Sequence, residues 1–185
     1  MAQTPSNMLP LGTKAPDFKL LDVVTGENLS LEDNKGLNGT VIMFICNHCP
    51  FVKHVNTELV RMAKDYKSKG INFVAISSND VENYPQDGPY KMKETAKSEG
   101  YIFPYLYDAS QQVAKAYNAA CTPDFYVFDH KLKLVYRGQL DDSRPSNGIP
   151  VDGKDIRNAL NALLNKEPVN PNQKPSIGCN IKWKL

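Results

Sequence analysis

Cysteine is scarce in this sequence, with four in 185 residues, too few to staple a secreted scaffold together. Only two of the four stand close to each other. Charge of one dominant sign is missing as well: 22 Lys and Arg are mixed with 20 Asp and Glu along the chain. No basic face long enough for nucleic acid or an anionic membrane surface is expected, so neither is predicted as a partner. Apolar runs are short, and none approaches the ~20 residues that a membrane-spanning helix needs. The start, Met1-Ala2-Gln3-Thr4-Pro5, has neither the basic nor the apolar stretch of a secretory signal. On that reading the cytoplasm is the expected compartment, although a chain that had lost a leader would read the same.

What is present is a chain of ordinary length for one domain, ample to bury a core without covalent help. Strand and helix patterns alternate, which marks an α/β domain. Residues 41–45 (VIMFI) form an unbroken apolar run, as expected of a central strand buried on both faces. Val55, Leu59, Met62, Ala63 and Tyr66 then fall on one helical stripe, with Gly70 as a left-handed stop. Residues 71–77 (INFVAIS) predict the next strand, 78–89 a polar loop, 90–98 a short helix and 103–107 a short strand. A helix over 110–117 with Ser110 as N-cap is expected next, then strands at 125–128 and 132–136 joined as a hairpin. Ile156, Ala159, Leu160, Leu163 and Leu164 make the apolar face of a closing helix.

Upstream, residues 17–31 read as an added hairpin turning at Thr25-Gly26; downstream, the end of the chain is Pro-rich and irregular. The boundaries expected are an N-terminal extension 1–10, one domain over 11–166, and a tail 167–185. Ile177, Ile181 and Trp183 give that tail the apolar anchors to dock on the domain.

The two close cysteines form Cys46-Asn47-His48-Cys49, at the junction between the buried strand and the long helix. Disulfide exchange needs an exposed thiolate to attack and a second thiol near enough to resolve the mixed disulfide. A helix N-terminus supplies unpaired N–H groups and a positive dipole end, so Cys46 is expected to be the more exposed and more acidic thiol. A protonated His48 would add a second stabilising charge, and Pro50 is compatible with a helix starting here. The second element is Cys121-Thr122-Pro123, just before a strand, where a cis proline would form a tight turn facing the CxxC pair.

The order strand, helix, strand, helix, hairpin, helix, once the middle insertion is set aside, is that of thioredoxin. Together with Leu11-Gly12, Ala15-Pro16-Asp17-Phe18, Gly26, the apolar strand ending in CxxC, Ala116-Tyr117 and Thr122-Pro123-Asp124-Phe125, it resembles the redoxin branch of the thioredoxin superfamily. That branch contains TlpA-like thiol-disulfide oxidoreductases and the peroxiredoxins of the alkyl hydroperoxide reductase type. The resemblance implies an α/β thioredoxin-like fold with an N-terminal hairpin and an insertion at 78–107. It implies Cys46 as the attacking cysteine, Cys49 as the resolving one, and Thr122-Pro123 as a cis turn whose backbone at Thr122 pairs with a substrate peptide. The partners implied are a disulfide- or thiol-containing protein and an electron donor, with no cofactor. Two positions depart from the pattern: Ile45 replaces the aromatic residue that often precedes the first cysteine, and Asn47-His48 replaces Gly-Pro. A histidine before the second cysteine is similar to the dipeptides of oxidising members such as protein disulfide isomerases.

Other readings use the same residues. A CxxC is also half of a zinc site, with Cys121, Cys179, His48 or His54 completing it, but no second CxxC or close His pair supports one, and no metal is expected. Cys121 and Cys179 are accessory redox candidates or simply small buried hydrophobes. The rival class is a hydroperoxide reductase, since peroxiredoxins carry Thr-x-x-Cys at this junction, and Cys46-Asn47-His48-Cys49-Pro50 is similar with Cys in place of Thr. Cys49 would then be the peroxidatic residue and Cys46, Cys121 or Cys179 its resolver.

Overall fold

The computed structural model describes residues 3–185, so Met1 and Ala2 of the expected extension lie outside it. In chain order the elements are β1 (Gln3–Pro5), β2 (Lys19–Asp22), β3 (Asn28–Ser30), α1 (Leu31–Asn34), β4 (Gly39–Phe44), α2 (Pro50–Lys67), β5 (Ile71–Ser77), a 3-10 turn (Pro85–Asp87), α3 (Pro89–Glu99), β6 (Tyr105–Tyr107), α4 (Gln112–Ala116), β7 (Cys121–Thr122), β8 (Asp124–Asp129), β9 (Leu134–Gly138), α5 (Lys154–Leu164) and β10 (Ile177–Asn180). The main sheet runs β3-β2-β6-β5-β4-β8-β9, and a small second sheet runs β1-β10-β7. Among the described residues only β4 with β5 and β5 with β6 are parallel; this is the mixed α/β architecture expected of a thioredoxin-like chain.

The apolar run of β4 is buried along its whole length because it divides two cores. Val41 and Met43 face a cluster containing Leu59 and Met62 of α2 and Ile156 and Leu160 of α5. Ile42 and Phe44 face the other, with Tyr117, Tyr126 and Phe128. The helical stripe of α2 is thereby satisfied, and Gly70, at φ +75°, ends that segment as its position predicts. The hairpin expected at 17–31 is β2 and β3, and its first strand joins the sheet antiparallel to β6.

Two local expectations are corrected. The helix expected from Ser110 begins at Gln112, with Gln111 left-handed at φ 63° in the N-cap position. The reason is tertiary: the Gln111 amide donates to the carbonyls of Ser78 (2.6 Å) and Lys182 (2.8 Å), fixing a backbone that local propensity would not select. The tail is not irregular throughout, because residues 177–180 form β10 between β1 and β7.

The register of the central pair positions the site. Across β4 and β8, Phe44 stands opposite Asp124. Continued past the sheet end, the same register sets Cys46 against Thr122.

Candidate active site

The chain leaves the sheet after Ile45, whose N–H is still held by the Ile76 carbonyl at 3.0 Å. Cys46 to Cys49 then turn, with Cys49 in the extended N-cap conformation and Pro50 as the first helical residue. Proline fits there because its missing N–H would be unpaired in the first turn. Opposite, the Thr122–Pro123 bond is cis. Thr122 meets both cysteines: its hydroxyl lies 3.4 Å from Cys46 Sγ, and its carbonyl accepts from Cys49 Sγ at 3.2 Å.

The expectation that Cys46 is exposed is corrected, since it is 2% exposed and Cys49 is 0%. Thr122 and His48 flank Cys46, and Cys179 shares the same buried cluster. Its expected acidity is corrected too. The helix begins after Cys49, so the positive end of α2 acts there and not on Cys46, four positions earlier. The thiols of Cys179 and Cys46 both donate toward Cys49, which holds it well below the usual thiol range against the opposing effect of burial. Cys46 is pushed up because it is the donor to Cys49, and because burial and the Asp87 carboxylate disfavour a second negative charge. Cys179 is pushed up by its own donation to Cys49 and by burial. Of the three neighbouring thiols Cys49 is thus the one shifted down, and while protonated it donates to the Thr122 carbonyl.

Asp87, invisible as a site residue in the sequence, organises the dipeptide between the cysteines. It is fully buried and accepts from the backbone N–H groups of Asn47 (2.9 Å) and His48 (3.3 Å) through Oδ1. Its Oδ2 pairs with His48 Nδ1 at 2.5 Å and accepts from Asn79 Nδ2 at 2.8 Å. Asn47 is pinned further by the Gln86 carbonyl and the Tyr105 hydroxyl. The His48 ring stacks on Tyr84 with its plane 11° away, and the ring keeps 16% of its surface exposed. The departure from Gly-Pro is thus explained: Asn47 and His48 are the residues that the insertion grips.

The tail closes this arrangement. Asn79 Oδ1 accepts from the Lys182 N–H at 2.9 Å, and the Lys182 ammonium lies 5.6 Å from the Tyr84 ring. A chain of contacts therefore runs from the tail through Asn79 and Tyr84 to Asp87 and His48.

The other candidates are placed as follows. Cys121 is buried with its thiol on the Pro123 carbonyl at 3.6 Å, and burial and the Asp124 carboxylate push it up. Asp124 itself is raised to about 6 by burial, against the opposing pull of Arg137, which it meets at 3.0 Å. Cys46, His48 and Asp87 place three potential ligand atoms within 4.8 Å of one another. The His48–Asp87 separation, however, is that of a shared hydrogen bond, shorter than the roughly 3.3 Å between two ligands of a tetrahedral ion. Of the remaining histidines, His130 is an exposed turn residue, while His54 is only half-exposed and buries Nε2 without a partner.

The sheet order, the CxxC at the strand-to-helix junction and the proline turn facing it define a thioredoxin-superfamily protein of the redoxin branch. The AhpC/TSA family profile matches residues 11–137, and the chain belongs to that family. It is 65% identical to an uncharacterized conserved protein from Geobacillus kaustophilus of known crystal structure, with a TM-score of 0.98 over 100% of this chain and 97% of that one. It is 25% identical over 139 residues to the thiol-disulfide oxidoreductase ResA of Geobacillus kaustophilus (strain HTA426), covering 74% of this chain and 75% of that protein. It is 29% identical over 116 residues to MT2597 of Mycobacterium tuberculosis (strain CDC 1551 / Oshkosh), provisionally named a peroxiredoxin, covering 63% of this chain and 68% of that one.

Proposed function

We propose that this protein is a thiol-disulfide oxidoreductase that exchanges disulfides through Cys46 and Cys49, at a substrate turn formed by Thr122 and Pro123. The observation that carries the reading is the double contact of Thr122, hydroxyl to Cys46 and carbonyl to Cys49. It holds both sulfurs against one residue, where an attacker and its resolver are needed together. The Cys46 thiol gives up its proton to solvent, and the Cys46 thiolate attacks a substrate disulfide. One substrate thiolate leaves and a mixed disulfide forms on Cys46. Cys49, as its thiolate, then attacks Cys46 Sγ, closing the Cys46–Cys49 bond and releasing the second substrate thiolate. His48, oriented by Asp87 and Tyr84 and partly exposed beside Cys46, is the group placed to protonate the departing sulfur.

The test is trapping. Cys49→Ser should accumulate a mixed disulfide with a protein substrate through Cys46, because the attacker has lost its resolver, and Cys46→Ser should accumulate little. Equal trapping by both variants, or by neither, refutes the mechanism.

One observation favours hydroperoxide reduction instead: Cys49 stands at the N-cap of α2, followed by Pro50, and its thiol is the one shifted down. Against it, Cys49 has no exposed surface. Arg137, fully buried, spends its guanidinium on Asp124 and on the carbonyls of Tyr117 and Asn118. Fast sulfenic acid formation at Cys49 with hydrogen peroxide, outpacing reduction of a protein disulfide, would reverse the ranking of the two readings.

A further inference from the structure

The edge of Thr122 that an exchange substrate would pair with is already taken by the chain's own tail. In the antiparallel register of β10 with β7, Cys179 stands opposite Thr122 and Asn180 opposite Cys121. On its other side β10 is held by β1, with Gln3 opposite Cys179. The Ser176 hydroxyl donates to the Pro123 carbonyl at 2.7 Å. Gly178 lies so close to the turn that a Cβ there would sit 2.0 Å from the Thr122 oxygen. The peptide that Gly178 covers is the one whose carbonyl accepts from Cys49 Sγ. The tail thus presents a cysteine, itself 2% exposed, on a strand in the backbone pairing that the exchange reading gives to a substrate peptide.

We propose that β10 is a tethered substrate of the CxxC pair and that Cys179 is a third redox cysteine, exchanging disulfides with Cys49 inside one chain. The inference rests on the exchange reading above and extends it. In the oxidised protein the Cys179 sulfur, having lost its proton, attacks Cys49 Sγ of the Cys46–Cys49 disulfide. The Cys49–Cys179 bond forms as the Cys46–Cys49 bond breaks, and Cys46 leaves as a thiolate that takes up the proton. One thiol and one disulfide become one thiol and one disulfide, so no external oxidant or reductant is consumed. The step moves the disulfide from a site built into the domain to a bond that includes the tail, and returns Cys46 to its attacking form. Cys121, equally buried but with its thiol on the Pro123 carbonyl, takes no part and serves as the internal control.

The experiment uses the full chain, oxidised with diamide, quenched in acid, alkylated and mapped by peptide mass spectrometry. Wild-type protein should yield both Cys46–Cys49 and Cys49–Cys179 peptides. Cys46→Ser should remain monomeric, lose the Cys49 and Cys179 thiols together, and keep Cys121 fully alkylated. A Cys46→Ser protein that keeps all its thiols, or that cross-links between chains as fast as Cys46→Ser/Cys179→Ser, overturns the proposal. So does a wild-type map holding only Cys46–Cys49. The wild type and Cys46→Ser both retain Cys179, so the disulfide maps themselves do not depend on the folding of a tail variant. Reduction of a protein disulfide by the wild type is measured alongside. Its failure refutes the exchange reading, whereas normal turnover with a map limited to Cys46–Cys49 refutes the tail proposal alone.

Discussion

Replacing Gly178 by Ala tests whether the tail is what keeps the cysteines buried. The added Cβ would stand 2.0 Å from the Thr122 oxygen, 2.5 Å from its carbonyl carbon and 3.0 Å from the Pro123 nitrogen. All three are backbone atoms of a turn tied to β8, so none can swing away as a side chain would. Ordinary contact begins at 3.4 Å, and the strand must therefore back off by more than an ångström or leave. Overpacking of this kind costs roughly 1–3 kcal/mol. If alkylation proceeds through a locally open state, the same free energy raises the open population, and with it the labelling rate, by roughly 5- to 150-fold. The assay is iodoacetamide labelling of the reduced protein at fixed pH, resolved by peptide into Cys46, Cys49 and Cys179, beside a urea unfolding curve. Acceleration at Cys46 and Cys49 with a retained cooperative transition is the expected outcome. A folded variant whose thiols are alkylated at the wild-type rate would show that the close approach of Gly178 does not govern access.

Cys49→Ser should bring the titration of Cys46 down, because donation to Cys49 is the first cause of its elevation; adding Asp87→Asn should lower it again by removing the nearby carboxylate, as read by alkylation against pH. Arg137→Ala should cost about 3–5 kcal/mol in urea unfolding, since it leaves the buried Asp124 carboxylate without its partner. Asp124 is raised to about 6 in the fold, so in the window from about pH 4 to 6 the native state binds its proton more tightly than the unfolded chain does. This group alone makes stability increase as pH falls through that window, by up to roughly 3 kcal/mol. Asp124→Asn should lose that slope whatever its absolute stability, and an unchanged difference in urea midpoint between pH 4.5 and 7 would refute the assignment.

The parts of the molecule legible in the sequence are those whose signal is local. The run at 41–45 announces a two-sided strand because every position is apolar, and the stripe from Val55 to Tyr66 announces α2 because its spacing matches one helical face. CxxC and Thr122-Pro123 are legible as motifs at element boundaries. What stayed hidden depends on distance along the chain. Asp87 is 39 positions from His48, in a Pro-Gln-Asp-Gly stretch that reads as an ordinary turn. The strand character of residues 177–180 comes from β1 at the opposite end of the chain and from the two-residue β7, neither of which leaves a pattern in the tail. Cys46 meets Thr122, 76 positions away, so its burial too could not be read from local sequence.

The path from Lys182 through Asn79 to Asp87 and His48 ties the docking of the tail to the residues beside Cys46. Coupling of this kind is reciprocal: whatever factor docking applies to the disulfide equilibrium, the disulfide applies to docking. The sole tryptophan of the chain, Trp183, follows Lys182 directly and rests with its ring 6.0 Å from the Lys115 ammonium. It stands on the far side of that path from the sulfurs, so the protein carries its own optical gauge. Oxidation of the CxxC pair is expected to shift the emission of Trp183, and identical spectra of the reduced and oxidised protein would refute that coupling.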